Sequence, residues 1–160
     1  MTLSHLLSIH IRGVHSGGNW TDVNLRSTLA DITPDEATTR IGECNTIVML
    51  VFHIKYYIGE TLNVLRGGTL EAHDLHSYAL PPIETADDWD ALRTAALHSG
   101  EEFAELVGQL PESVWGEHFV EAKQGTYYRN IAGIIEHTHY HLGQIVLLKK
   151  LLRQHLPPKA

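Results

Sequence analysis

His137 and His141 stand one helical turn apart in the stretch 127–152, YYRNIAGIIEHTHYHLGQIVLLKKLL. Neutral imidazole is the commonest protein ligand of divalent metals, and an i, i+4 pair brings two rings to one point beside a helix. The pair lies on an apolar stripe, because Ile134, His137, His141, Ile145, Leu148 and Leu152 recur at steps of three and four. Two polar rings thus occupy positions that leucine or isoleucine would fill. A buried imidazole has two nitrogens to satisfy, and each one left unpaired costs about 1–3 kcal/mol. A metal accounts for the pair. So do two core histidines bonded to neighbouring carbonyls or carboxylates, since a chain with 12 histidines produces H-x-x-x-H by chance. His139, between the two, falls on another face and is expected in solvent.

A third imidazole shifts that balance. His53 is the only histidine in the most apolar stretch of the chain, which begins NTIVMLVF at Asn45. Helix bundles build metal sites from side chains that face each other across the core. One histidine from a second helix and two from a fourth form a facial set with open positions. That is the ligand count of a catalytic zinc-type site, whereas structural sites are closed by four protein ligands. A divalent ion held by His53, His137 and His141 would lower the pKa of bound water toward ~7 or activate a substrate thiolate. Glu136 and Glu60 are candidates to orient a ligand. Tyr56 and Tyr57 are expected as half-buried packing aromatics, with a place lining a cleft as the alternative, and Gln144 is a candidate to bond a ligand or a neighbouring helix. No residue is marked as a general base. His10 and His15 are not assigned as ligands, and nothing marks His73 or His76 as buried.

These side chains need long helices to hold them. Thr2 to Val14 predicts a first helix on the stripe Leu3, Leu6, Leu7 and Ile11, closed by Gly17-Gly18-Asn19. Leu25, Leu29 and Ile32 share a helical spacing. Thr33-Pro34-Asp35-Glu36 is a start signal, with a cap, proline at the first helical position and acids at the positive end of the dipole. The turn it opens should fade near Arg40 to Gly42. Asn45 to Arg66 is the second long helix, apolar on nearly every side at first and stopped by Gly67-Gly68. Thr69 to Leu80 reads as a connector with some helical turns, in the position of a lid. Thr85 caps a third long helix carrying Trp89, Leu92, Ala96, Phe103, Leu106 and Val107, in which Gly100 is tolerated at about 1 kcal/mol relative to alanine. Residues 112–124 form a hairpin or an irregular loop. Thr126 caps the fourth long helix. The sum is an all-α, up-down four-helix bundle with long connectors, a single domain over 1–160.

Composition narrows the function. The chain has 160 residues, 43% hydrophobic, enough for one domain with a real core, and reads as soluble and globular. The longest apolar run, Ile47 to Phe52, is far short of the ~20 residues of a spanning helix, so no membrane insertion is expected. No signal peptide is expected from MTLSHLLSIHIRG. The formal charge of −7 argues against nucleic acid and anionic membranes as partners. Lys149, Lys150 and Arg153 form the one basic cluster, and cations there complement the end of a helix dipole. Cys44, the single cysteine, excludes an internal disulfide and fits a reducing cytoplasm. It is expected as a buried thiol, with a reactive thiol at a helix start as the alternative.

Phe52-His53-Ile54-Lys55-Tyr56-Tyr57 on the second helix and Glu136-His137-Thr138-His139-Tyr140-His141-Leu142-Gly143-Gln144 on the last resemble the DinB-type (DinB/YfiT-like) bundle family, as does the ITPDEA segment. The resemblance runs from about the first helix to Leu152. It implies a four-helix bundle that pairs as a homodimer and binds nickel, zinc or another divalent metal through His53, His137 and His141. It further implies a small-molecule substrate, either for metal-dependent hydrolysis or for transfer and isomerisation with a low-molecular-weight thiol. Two rivals remain at this point. One is a non-enzymatic bundle for a small ligand or partner, its metal structural or absent. The other is an interaction protein whose histidines are satisfied core residues.

Overall fold

The computed structural model describes residues 1–155; positions 156–160 of the expected domain span lie outside the described residues. Helix α1 (Leu3–Ser16) starts where Thr2 Oγ1 accepts the His5 amide. Its two leading amides are also held by Glu112, whose carboxylate oxygens accept from Leu3 N and Ser4 N at 3.0 Å each. These hydrogen bonds favour the charged form and hold the Glu112 carboxyl down at about 2. Helices α2 (Leu25–Leu29) and α3 (Pro34–Thr38) follow. In α3, Thr33 and Glu36 close a reciprocal capping box, as the start signal predicts. Helix α4 (Ile47–Leu65) is capped by Thr46, and α5 (Asp74–Ser77) is one turn within the connector. Helix α6 (Ala86–Gln109) opens on a second capping box, Thr85 with Asp88. Helix α7 (Tyr127–His155) begins where Thr126 Oγ1 accepts from Arg129 N at 3.2 Å.

The four long helices pack around a shared core. α1 and α4 each lie against both α6 and α7, which closes a ring of four. Ile11, Val14, Ile54, Ile58, Phe103, Val107, Ile131 and Ile145 are fully buried in it. Each such side chain stabilises the fold by about 1.5–3 kcal/mol on burial. The described residues are all-helical and contain no strand. None of the helices is long and apolar enough to cross a membrane. Residues 112–124 close on a single antiparallel bridge, His118 with Thr126, the minimal form of the expected hairpin. They make two 3₁₀ turns closed by Phe119 N to Gly125 O at 2.9 Å and Tyr127 N to Glu117 O at 3.0 Å.

Four expectations are corrected here. Lys149 and Arg153 do more than complement a dipole. Lys149 Nζ bonds Asp31 at 2.5 Å, and Arg153 bonds both Asp31 and Glu36 at 2.8 Å, tying α7 to the α2–α3 segment. These cations hold the Asp31 carboxyl at about 2. Cys44 is exposed, because it precedes α4 in a turn and the helix begins only at Ile47. His139 is half-buried, its Nε2 3.3 Å from Asn19 Nδ2 and its ring 6.0 Å from that of His10. Gly100 is required where mere tolerance was expected: a Cβ there would overlap the His15 ring. His15 is 1% exposed, its Nδ1 bonded to Ile11 O at 2.8 Å, so the ring has nowhere to go.

Gly100→Ala tests that contact by sign. In a helix interior the change normally stabilises by about 1 kcal/mol. Here overpacking by about 1–3 kcal/mol should outweigh it, and the urea midpoint should fall. A raised midpoint would show that the α1–α6 contact is looser than described.

Candidate metal centre

α4 and α7 pack together and place three histidines at their contact. One ring nitrogen from each of His53, His137 and His141 lies within 4.8 Å of the others, and among the described residues no carboxylate or thiol joins the group. The ring centroids are 4.9 Å apart for His53–His137, 4.8 Å for His53–His141 and 4.5 Å for His137–His141. His53 and His141 are each 6% exposed; His137 is half-buried. The core face of α7 runs through Ile131, Ile135, Thr138, Leu142 and Ile145, so His137 sits at its edge, rotated from the centre of the predicted stripe.

The outer nitrogens of two rings are held by side chains. His53 Nδ1 lies 2.9 Å from Ser77 Oγ, and Ser77 Oγ donates to Asp74 O at 2.7 Å. A serine hydroxyl has one hydrogen, so Ser77 accepts from His53. The His53 hydrogen is then on Nδ1 and its Nε2 carries a lone pair. His141 Nδ1 lies 2.6 Å from Gln144 Oε1, an acceptor, with the same result. Tyr78 stacks on His53 at 4.3 Å and 16°. Neither Glu136 nor Glu60 takes the orienting role: Glu136 is exposed, and Glu60 accepts the Glu71 amide at 3.1 Å.

All three rings are uncharged near neutral pH. Desolvation pulls the His137 pKa from 6.5 to about 4, with further lowering by His141 and His53. Desolvation also lowers His53, reinforced by His141, and lowers His141 against the opposing bond to Gln144. Neutral imidazoles with lone pairs directed at one another form a donor set for a divalent cation, and the observed partners at Ser77 and Gln144 are of the kind that orient metal-binding histidines. The residues present therefore fit a metal.

A cleft of about 490 Å³ opens beside the rings, lined also by Asn45, Tyr57, Asp74, Tyr78, Tyr140 and Gln144. The connector thus forms one wall of it. Tyr57 donates to the Asp74 carboxylate, and desolvation together with that bond pushes its hydroxyl up to about 12. Asp74, Ser77 and Tyr78 went unassigned in the sequence, since the connector has no periodicity to mark them. His73 and His76 are exposed, with rings 5.5 Å apart, and stand outside the group.

The lowered histidine pKa values carry a pH dependence. An unfolded chain takes up a proton at a histidine near pH 6.5, whereas folded His137 resists it until about pH 4. The stability is therefore complete above pH 6.5 and is lost as pH falls through that window. Urea midpoints of chelator-treated protein should drop between about pH 6.5 and about pH 4.5, with a shallower slope in His137→Gln. An identical slope in the variant would mean that His137 does not resist protonation.

The model of the DinB superfamily matches residues 19–145. No curated protein and no solved structure matches the chain. The match spans well over half of the sequence and contains His53, His137 and His141. The all-helical fold agrees with it, and the chain belongs to the DinB superfamily.

Proposed function

We propose that this protein binds a divalent metal, nickel or zinc in the first place, through His53, His137 and His141, and that the adjoining cleft takes a small-molecule substrate. The reaction we propose is metal-dependent hydrolysis or a transfer that uses a low-molecular-weight thiol. In the same reading the ring of long helices is an up-down bundle, the chain is one domain, and the active form is a cytoplasmic homodimer. The observation that carries the proposal is the convergence of three uncharged imidazoles from two helices within 4.8 Å. Three histidine ligands leave open positions, the pattern of catalytic rather than structural sites.

When bound, such an ion lowers the pKa of coordinated water or of a substrate thiol, supplying a nucleophile near neutral pH. The chain's own residues do the rest. Ser77 and Gln144 fix the ring orientations of His53 and His141. Tyr78 covers the His53 ring and limits water on that side. Asp74 and Tyr57 place a carboxylate and a hydroxyl on the wall of the cleft, where they can orient a polar substrate group by hydrogen bonding.

Protein purified without a histidine tag should carry close to one equivalent of metal by elemental analysis, and His53→Ala should carry none. Free metal at a hundred times its Kd should raise the unfolding free energy by about 2.7 kcal/mol, and a chelator should reverse the gain. Absence of metal on purification, no uptake on titration and normal folding of His53→Ala would together refute the proposal.

A further inference from the structure

The cleft beside the three histidines carries a charge of one sign. Apart from the imidazoles, its wall consists of the phenols Tyr57, Tyr78 and Tyr140, the amides Asn45 and Gln144, and the Asp74 carboxylate. Among the described residues no lysine or arginine lines it. Desolvation and then the Asp74 charge hold the Tyr78 hydroxyl above its ordinary value, and desolvation with the Asp74 bond does the same for Tyr57. Neither phenol therefore adds an anion near neutral pH. Asp74 also lacks a counter-ion. Asp31, Glu36, Glu101 and Glu102 are each paired with an arginine or lysine, whereas among the described residues none pairs with Asp74. Its carboxylate accepts from Tyr57 Oη, and two carboxylate oxygens offer about four lone-pair positions. Acceptor capacity and negative charge are thus left on the cleft wall.

We propose that the cleft selects a small substrate bearing a primary ammonium group, which Asp74 binds among the three phenol rings, and disfavours one with a carboxylate or phosphate in that place. An ammonium group has three N–H donors and no acceptor, so it complements a carboxylate with spare lone pairs through a charge-assisted hydrogen bond. Phenol rings favour the same sign, because the negative face of an aromatic ring attracts a cation. An anionic group would meet the Asp74 charge with no arginine or lysine to offset it. Among low-molecular-weight thiols, aminothiols are therefore preferred to thiol acids. A second cleft, of about 310 Å³, borders Arg129 and Glu136 together, so its charges offset and give it no such preference. The reacting end of the substrate rests on the proposed metal centre, whereas recognition of its ammonium end does not.

Amide-detected NMR titrations of the metal-free protein with butylammonium, butan-1-ol and butyrate separate charge from apolar contact. Butylammonium should move the amides of Asn45, Asp74, Tyr78 and Gln144, with a Kd about 5–10-fold below that of butan-1-ol. Butyrate should move none of them. Asp74→Asn keeps an acceptor for Tyr57 Oη and removes the charge, so it should bring the ammonium and alcohol Kd values together with the urea midpoint little changed. Glu136→Gln removes a carboxylate from the second cleft and should leave the ratio as it is in the wild type. With zinc bound, 4-aminobutane-1-thiol should bind more tightly than 4-sulfanylbutanoate, and Asp74→Asn should narrow that gap about 5–10-fold. Equal Kd values for the ammonium and the alcohol, tighter binding of either acid, or a preference that survives Asp74→Asn overturns the proposal and leaves the metal centre in place. Should zinc fail to bind while the metal-free preference is as described, the metal centre falls and the cation-selective cleft stands.

Discussion

Three imidazoles share one small space at the α4–α7 contact, and that is possible only while they are uncharged. Two positive rings 4.8 Å apart repel by about 3–4 kcal/mol at an effective dielectric near 20. A pKa unit is worth only about 1.4 kcal/mol, so this repulsion alone shifts a second protonation by more than two units. Burial adds to it, because desolvation penalises each charged form before any neighbour is counted. The lowered pKa values of His53, His137 and His141 thus follow from the fold bringing α4 and α7 together. The same packing that costs proton affinity leaves lone pairs that favour a cation.

His15 shows what a histidine looks like when packing is its whole role. Its Nδ1 turns back to the Ile11 carbonyl of its own helix, and its ring fills the space over Gly100. It is 1% exposed and stands outside the three-histidine group. His53 and His141 differ in the source of their partners. Ser77 reaches His53 from the connector, and Gln144 reaches His141 from one turn further along α7. In both cases the outer nitrogen is occupied and the inner one is left toward the other rings. Burial alone does not separate a ligand from a core histidine; the direction of the occupied nitrogen does.

The long helices are legible in the sequence because their signals are local. Thr2, Thr33, Thr46, Thr85 and Thr126 cap within three residues, and the apolar stripes repeat within a turn or two. His53, His137 and His141 stand out for the same reason: each is a polar residue where the period calls for an apolar one. Other features depend on chain separation. Lys149 and Arg153 meet Asp31 more than a hundred residues away, and Ser77 meets His53 across a Gly-stopped connector. Gly100 reads as a tolerated defect until His15 is placed over it. His139 reads as solvated until Asn19 and His10 are folded against it. The rotation of the α7 core face toward Ile131, Ile135 and Thr138 is equally invisible, since a stripe defines a face but not which neighbour it meets.

The cleft wall is built from the segment with the least helix, and this bears on how the site is regulated by its own fold. The connector between α4 and α6 is fixed to α4 largely through side-chain hydrogen bonds. Asn63 Nδ2 bonds Thr69 O at 2.6 Å, Glu60 holds the Glu71 amide, and Tyr56 Oη accepts from His73 N at 3.0 Å. Leu70, Leu80 and Ile83 add apolar contact to the core from this side. Such bonds contribute about 0.5–1.5 kcal/mol each, and segments held this way open at lower free energy than packed helices. Yet this segment supplies Asp74, Ser77 and Tyr78, so loss of its bonds removes the His53 partner, the stacked ring and a carboxylate lining the cleft together. Stable helices therefore bring the imidazoles together, and a lightly held strap sets their orientation and the chemistry of the wall that a substrate meets.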